Sequence, residues 1–223
     1  MEPRYARNIP ALTEEECTLL LGKKVAVIGC GGLGGHLIDQ LARIGVGSLR
    51  VVDGDVFESS NLNRQLLSEV PLLGVSKAKA AADRVMRVNP DIEIEAVTHF
   101  LTQDNAAQII AGCDVVLDGL DNIESRKILA AACHKAGIPY IFGAIQGWIA
   151  QAAISMPGDN LVEILYPAGT VIRDKSVLSF TPALCASMQV ALCAKLLTGR
   201  TVESGTLYYF DLLNQEFEAI PLA

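Results

Sequence analysis

The sequence predicts an α/β protein: a doubly wound, mostly parallel Rossmann-like sheet with helices on both faces and antiparallel strands near the C-terminus. Three observations predict it. Short apolar runs alternate with helical periodicity over residues 24–142, a glycine-rich turn joins the first run to its helix, and a hairpin-like texture takes over after Trp148.

Taken in order, Thr13-Glu14-Glu15-Glu16 reads as a capping box opening a short helix that stops at Gly22. Residues 24–28 are an apolar run and residues 29–34 are glycine-rich. Leu33, Leu37, Ile38, Leu41 and Ile44 then recur at helical spacing up to Gly45, which gives strand, loop, helix. A second strand over 49–52 ends at Asp53, Ser76 caps a helix running to Val88, Asn89-Pro90 stops it, and 92–97 make a third strand. The unit repeats as helix 105–111, strand 115–117, helix 124–136 and strand 140–142. Beyond Trp148, residues 149–155, 161–165, 207–210 and 217–220 read as strands, with one long helix over about 182–197. No repeat or low-complexity linker divides the chain, so it reads as a single domain: arm and helix over 1–22, nucleotide-binding core over 23–145, and strands with a buried helix over 146–223.

With 51% apolar, 19% charged and 5% aromatic residues in 223, the core is aliphatic and disorder is excluded as the main state. Eighteen basic against 25 acidic residues give −7, which argues against binding nucleic acid or an anionic membrane through bulk charge. Any phosphate is therefore held locally. Six cysteines without tight spacing are typical of a reducing compartment, and the first residues carry no apolar signal core, so a cytoplasmic location is expected. Mean hydropathy is +0.35, and the charge-free stretches 136–158 and 176–194 approach spanning length. Glycines, Pro139 and Pro157 break the first, and Pro182 with polar residues interrupts the second. Both read as buried strand or helix, and the surplus apolar surface suggests a homodimer interface.

Gly29-Cys30-Gly31-Gly32-Leu33-Gly34 is a G-x-G-x-x-G run between strand and helix, where backbone amides and the helix N-terminus meet phosphate. Asp53 follows at the end of the next strand, placed to accept from ribose hydroxyls. These two features specify only a nucleotide. The loop after Asp53 and Asp55 adds Asn61, Arg64 and Gln65, an amide–guanidinium–amide cluster suited to phosphate oxygens and of little use to a dehydrogenase. Lys77 opens the next helix just past its Ser76 cap, where a lysine opposes the helix dipole and calls for an anion, read as the α-phosphate. Asp121, in 118–122 at the carboxyl end of the fourth strand, is placed to reach Mg²⁺ on pyrophosphate, while Asn122 caps the following helix.

Together GCGGLGG, VVDGDVFESSNLNRQ, GVSKAKAA, DGLDNIESR and the opening RYARN resemble the MoeB/ThiF/HesA group, relatives of the ubiquitin-activating enzymes, over essentially the whole chain. The resemblance implies ATP-dependent adenylation of the C-terminal glycine of a small ubiquitin-like carrier (ThiS- or MoaD-like, ending in Gly-Gly), with release of pyrophosphate. It puts Gly31, Gly32 and Gly34 under the phosphates and Asp53 on the ribose. It further puts Asn61, Arg64 and Lys77 on phosphates and attacking carboxylate, Asp121 on Mg²⁺, and Arg7 in the active site of a dimer partner. Adenylation brings two anions together, so positive charge and alignment are what the protein must supply.

Two departures stand out. The paired C-x-x-C motifs that hold zinc in many members are missing, with Leu161-Val162-Glu163-Ile164 in the region of the first, so no zinc is expected. Residues 167–180 contain no cysteine, so no thioester is expected on this chain, and Cys185 and Cys193 read as packing groups. Competing readings are adenylation of another carboxylate (a peptide C-terminus or a modified tRNA base), a non-catalytic ATP-binding scaffold, and an oxidoreductase whose 61–65 loop faces away from the pocket.

Overall fold

A computed structural model describes residues 2–171 and 176–222. The chain begins with a 3₁₀ turn, Pro3–Asn8, and helix α1, Glu14–Leu21. The capping box forms: Thr13 Oγ1 accepts from Glu16 N at 3.1 Å, and Glu16 Oε2 accepts from Thr13 N at 2.8 Å. There follow β1 (Lys24–Ile28), α2 (Gly32–Ile44), β2 (Ser48–Val52), α3 (Lys77–Val88), β3 (Glu93–Val97), α4 (Ala106–Ile110), β4 (Val115–Asp118), α5 (Ile123–Ala136) and β5 (Tyr140–Gln146). The C-terminal part comprises β6 (Ile149–Ser155), α6 (Leu161–Leu165), α7 (Phe180–Leu197), β7 (Thr206–Asp211) and β8 (Glu216–Pro221).

One eight-stranded sheet runs in the order β3-β2-β1-β4-β5-β6-β7-β8. The first five strands are parallel and the last three antiparallel, as the sequence predicts. The inner parallel strands are largely buried, with β4 covered along its whole length, because helices lie on both faces, whereas the edge strand β3 has no buried residue. Leu37, Leu41, Val27 and Cys193 belong to the core on one face, and Ile28, Val116, Leu129 and Phe142 to the core on the other. Connections from β1 and β4 leave in opposite directions, which opens a crevice between their carboxyl ends.

One element differs in kind from its sequence reading. Residues 161–165, read as a strand, form helix α6, whose Leu161 and Val162 are buried against the core containing Leu129 and Leu207. Five apolar-rich residues carry too little periodicity to separate strand from helix, and packing decides. Helix α7 is, among the described residues, long and apolar enough to cross a membrane by length and composition; here it packs on α2, β5 and β6.

The N-terminal arm is folded onto the far end of α2. Tyr5 is buried, its hydroxyl accepts from Asn89 Nδ2 at 2.7 Å, and Arg4 pairs with Asp91 at 2.9 Å.

Candidate functional site

A cleft of about 810 Å³ opens at the crevice between β1 and β4. It is lined by Gly29, Gly31 and Gly32 of the glycine loop, Asp53 and Asp55 after β2, Arg64 and Gln65, Lys77, and Asp121 and Asn122 after β4. Ten of the twelve nucleotide-site residues expected from the sequence therefore converge on one volume.

The loop is shaped by close approach. Gly29 sits at φ +94°, and a Cβ there would lie 2.5 Å from the Gly119 carbonyl oxygen, so glycine alone fits. Gly31 is the N-cap of α2, whose thirteen residues direct a positive dipole end and free amides into the cleft. Arg64 lies across that helix end, its Cγ 3.7 Å from where a Gly32 Cβ would be. One terminal nitrogen, Nη1, donates to Ser60 O at 2.8 Å and to Asn63 Oδ1 at 2.9 Å. Nε and Nη2 make no such bond among the described residues, which leaves a two-pronged edge for an anion. Gln65 is buried over Gly31, and its Oε1 has no partner among the described residues, an unsatisfied acceptor at the cleft wall.

Asp53 accepts from Cys30 N and Asp55 N, both at 2.8 Å. Burial raises its carboxyl above the ordinary value, and the two amides and the Lys77 charge oppose that rise. The carboxylate braces the glycine loop while keeping lone pairs for a ribose diol. The Asn122 side chain caps α5 by accepting from Ser125 N at 2.9 Å and donates to Asp121 Oδ1 at 3.3 Å. That leaves Asp121 Oδ2 open to a cation, and one carboxylate completed by phosphate oxygens and water is a set Mg²⁺ accepts.

Two expected contributors lie elsewhere. Asn61 is buried in its own 3₁₀ turn, where Oδ1 accepts from Glu58 N at 3.0 Å and Nδ2 is 3.5 Å from Ser60 Oγ, so local capping engages its oxygen. Gly34 lies inside α2 against the backbone of Gly29 and serves helix–strand packing. Arg7 is exposed at the opposite end of α2, about 20 Å from the glycine loop for a thirteen-residue helix, and does not reach this chain's cleft. The anion that Lys77 was expected to find in phosphate is here Asp55, whose Oδ2 is 3.2 Å from Nζ.

Sequence reasoning missed the buried group beneath the 118–122 loop. Arg126 Nε is 3.2 Å from Asp118 Oδ2, with side chains 5% and 0% exposed. Nη1 donates to the Tyr166 hydroxyl at 2.7 Å, and Nη2 to the carbonyls of Leu120 at 2.6 Å and Gly143 at 2.8 Å. The Tyr140 hydroxyl donates to Asp118 at 2.5 Å, and Gln189 of α7 donates to Asp118 O at 3.0 Å. Burial pushes the Asp118 carboxyl up, against the opposing pull of Arg126. The available signal was Arg126 four residues past the Asn122 cap, one turn on and facing inward.

All six cysteines are buried; burial pushes the thiols of Cys133 and Cys185 up to about 12 and that of Cys193 higher. Among the described residues no three His, Cys, Asp or Glu side chains gather as a metal-holding group. The expectation about the cysteine-free stretch 167–180 falls in part on residues 172–175, outside the described residues.

The ThiF family pattern matches residues 5–223. The chain belongs to the ThiF family. It is 36% identical over 228 residues to the SAMP-activating enzyme E1 of Haloferax volcanii, covering 98% of this chain and 84% of that protein. It is 34% identical to the probable adenylyltransferase/sulfurtransferase MoeZ of Mycobacterium tuberculosis and to the adenylyltransferase and sulfurtransferase MOCS3 of Mus musculus. Each match covers 98% of this chain but only 59% and 50% of those longer proteins. A crystal structure of E. coli MccB with ATP superposes with TM-score 0.83 at 18% identity, over 100% of this chain and 72% of that one, a likeness of fold. Adenylyltransferase is the enzyme class these relatives define for this ThiF domain. With Arg64 and Gln65 facing the cleft, the oxidoreductase reading loses the condition on which it depended.

Proposed function

We propose that this ThiF domain adenylates the C-terminal glycine carboxylate of a small ubiquitin-like carrier with ATP and Mg²⁺, releasing pyrophosphate. The observation that carries the reading is the convergence of the glycine loop, Asp53, the Arg64 guanidinium over the α2 N-terminus and Asp121 on one cleft. A carrier carboxylate oxygen attacks the α-phosphorus, the bond from that phosphorus to the bridging oxygen of pyrophosphate breaks, and an acyl-adenylate and pyrophosphate result. The electron pair leaves on pyrophosphate, so a strong base is unnecessary and cancellation of negative charge is the main requirement.

The α2 amides and Arg64 hold the phosphates in line, and Asp53 fixes the ribose. Asp121 would hold Mg²⁺, which when bound neutralises charge on the departing pyrophosphate. Lys77 is poised to exchange its Asp55 partner for phosphate or carboxylate, and Arg7 of the partner subunit completes the site in a homodimer. The relatives named for SAMP activation and for adenylyl transfer, and an MccB fold neighbour solved with ATP, support the nucleotide and the class of acceptor. The absence of a thioester step is part of the proposal and is supported by buried, poorly ionised thiols.

The test is exchange of labelled pyrophosphate into ATP in the presence of carriers ending in Gly-Gly. Carrier-dependent exchange, abolished by Arg64→Ala and by Asp121→Ala in folded protein, is expected. Exchange retained in both variants, or ATP binding without exchange for any such carrier, would refute it.

A further inference from the structure

Phe100 follows β3 at the same edge of the sheet as the glycine loop and lines the cleft, yet it is 62% exposed, more than Phe180 or Phe217. Its position is fixed. Asn105 Nδ2 donates to the Phe100 carbonyl at 2.9 Å, and Asn105 Oδ1 accepts from Thr102 N at 2.8 Å, so the ring stands on a tied segment.

The ring also has a backbone rest. A Cβ built on Gly54 would lie 2.7, 2.7 and 2.8 Å from Cδ2, Cγ and Cε2. Near-equal distances to three adjacent ring atoms mean that Gly54 meets the face of the ring; an approach in the ring plane would separate them. One face is therefore seated on the residue after Asp53, and the exposed remainder belongs to the cleft wall. Leu101 and Leu120 line the same cleft.

Resting on the nucleotide reading above, the chain of placement is short. Phosphates at Gly31, Gly32 and Arg64 and a ribose at Asp53 send the base past Asp53 toward Gly54. We propose that Phe100 is the platform against which the base of the nucleoside triphosphate packs, making it the residue that favours a nucleotide over bare polyphosphate. An aromatic base offers a flat apolar face, and an exposed aromatic ring seated on the residue after the ribose acceptor is a complementary surface. The glycine at position 54 belongs to the same device, because any side chain there would displace the ring.

Calorimetric titration with two probes, ATP and inorganic tripolyphosphate, tests this in the presence of Mg²⁺. Phe100→Ala should weaken ATP about tenfold, the scale of one base–aromatic contact, while tripolyphosphate affinity stays within about twofold. Because the side chain is exposed, the variant should fold, and unchanged thermal unfolding checks that. Phe100→Trp should keep ATP affinity, and its emission above the Trp148 background should change with ATP but not with tripolyphosphate. Unchanged ATP affinity in Phe100→Ala, or parallel loss of both probes, would overturn the assignment. Wild-type protein that binds neither probe would overturn the nucleotide reading itself, and this inference with it.

Discussion

Replacing Arg126 by methionine removes the guanidinium from the buried group under the cleft while keeping most of its volume. Asp118 is then left fully buried with Tyr140 and the Leu120 amide as its remaining donors. The carbonyls of Leu120 and Gly143 lose their Arg126 donor as well. Removing one member of a buried ion pair costs about 3–5 kcal/mol, and a chain of this size loses roughly 2–4 °C per kcal/mol, so the unfolding midpoint should fall by roughly 6–20 °C at neutral pH. The sign of the pH dependence follows from Asp118. Its carboxyl already stands above the ordinary 3.8 because burial outweighs the opposing Arg126 charge, and without that charge it stands higher still. The folded variant then binds a proton that the unfolded chain does not. The stability this proton confers is complete below the unfolded value and is lost as pH rises through the folded one. The penalty should therefore shrink as pH is lowered from neutrality towards the ordinary 3.8, measured by thermal or urea unfolding beside the wild type. Adding Asp118→Leu should restore much of the loss, since apolar replacement of a whole buried pair is tolerated. A penalty independent of pH, with a double variant no more stable than the single one, would refute this account of the group.

Gly34→Ala places a Cβ 1.7 Å from the Gly29 carbonyl oxygen, and no rotamer change relieves a backbone clash. It should destabilise the fold by about 3 kcal/mol or more in urea unfolding. Gly31→Ala meets only the flexible Gln65 side chain, at 3.5 Å, and should fold normally while weakening tripolyphosphate binding, as read by titration. Glu16 is held down to about 2 chiefly by its hydrogen bonds to Arg200 and then by Thr13. In Arg200→Ala, carboxyl titration followed by NMR should move it back towards 4.5, and stability between these two values should become less sensitive to pH. A Glu16 titration unmoved in that variant would show that the Arg200 contact is not made in solution.

Much of the site was legible because its residues sit at element boundaries along one edge of the sheet. The glycine loop, Asp53 and Asp121 each lie where a strand gives way to a loop or helix, Lys77 opens α3, and periodicity locates those junctions. The turn made by Asn61 was not legible, because a short amide side chain serves a local turn as readily as a ligand, and sequence spacing does not distinguish the two uses. Gly34 matched a phosphate motif yet performs its packing role, visible only once α2 is seated against Gly29. The Asp118–Arg126–Tyr140–Tyr166 group stayed hidden because its members come from β4, α5, β5 and the end of α6, and only the closed sheet assembles them. Helix α6 escaped for the opposite reason: its segment is too short for any period to show.

The edge strand β8 leaves one row of amides and carbonyls without a neighbouring strand among the described residues, the geometry by which sheets recruit strangers. Its sequence alternates Glu216, Phe217, Glu218 and ends on Pro221, so an incoming strand would confront carboxylates on one side and a missing N–H at the finish. Growth of the sheet past this border is discouraged by charge and by covalent structure alike. A β7–β8 hairpin stripped of those glutamates should be the first place where this protein begins to aggregate.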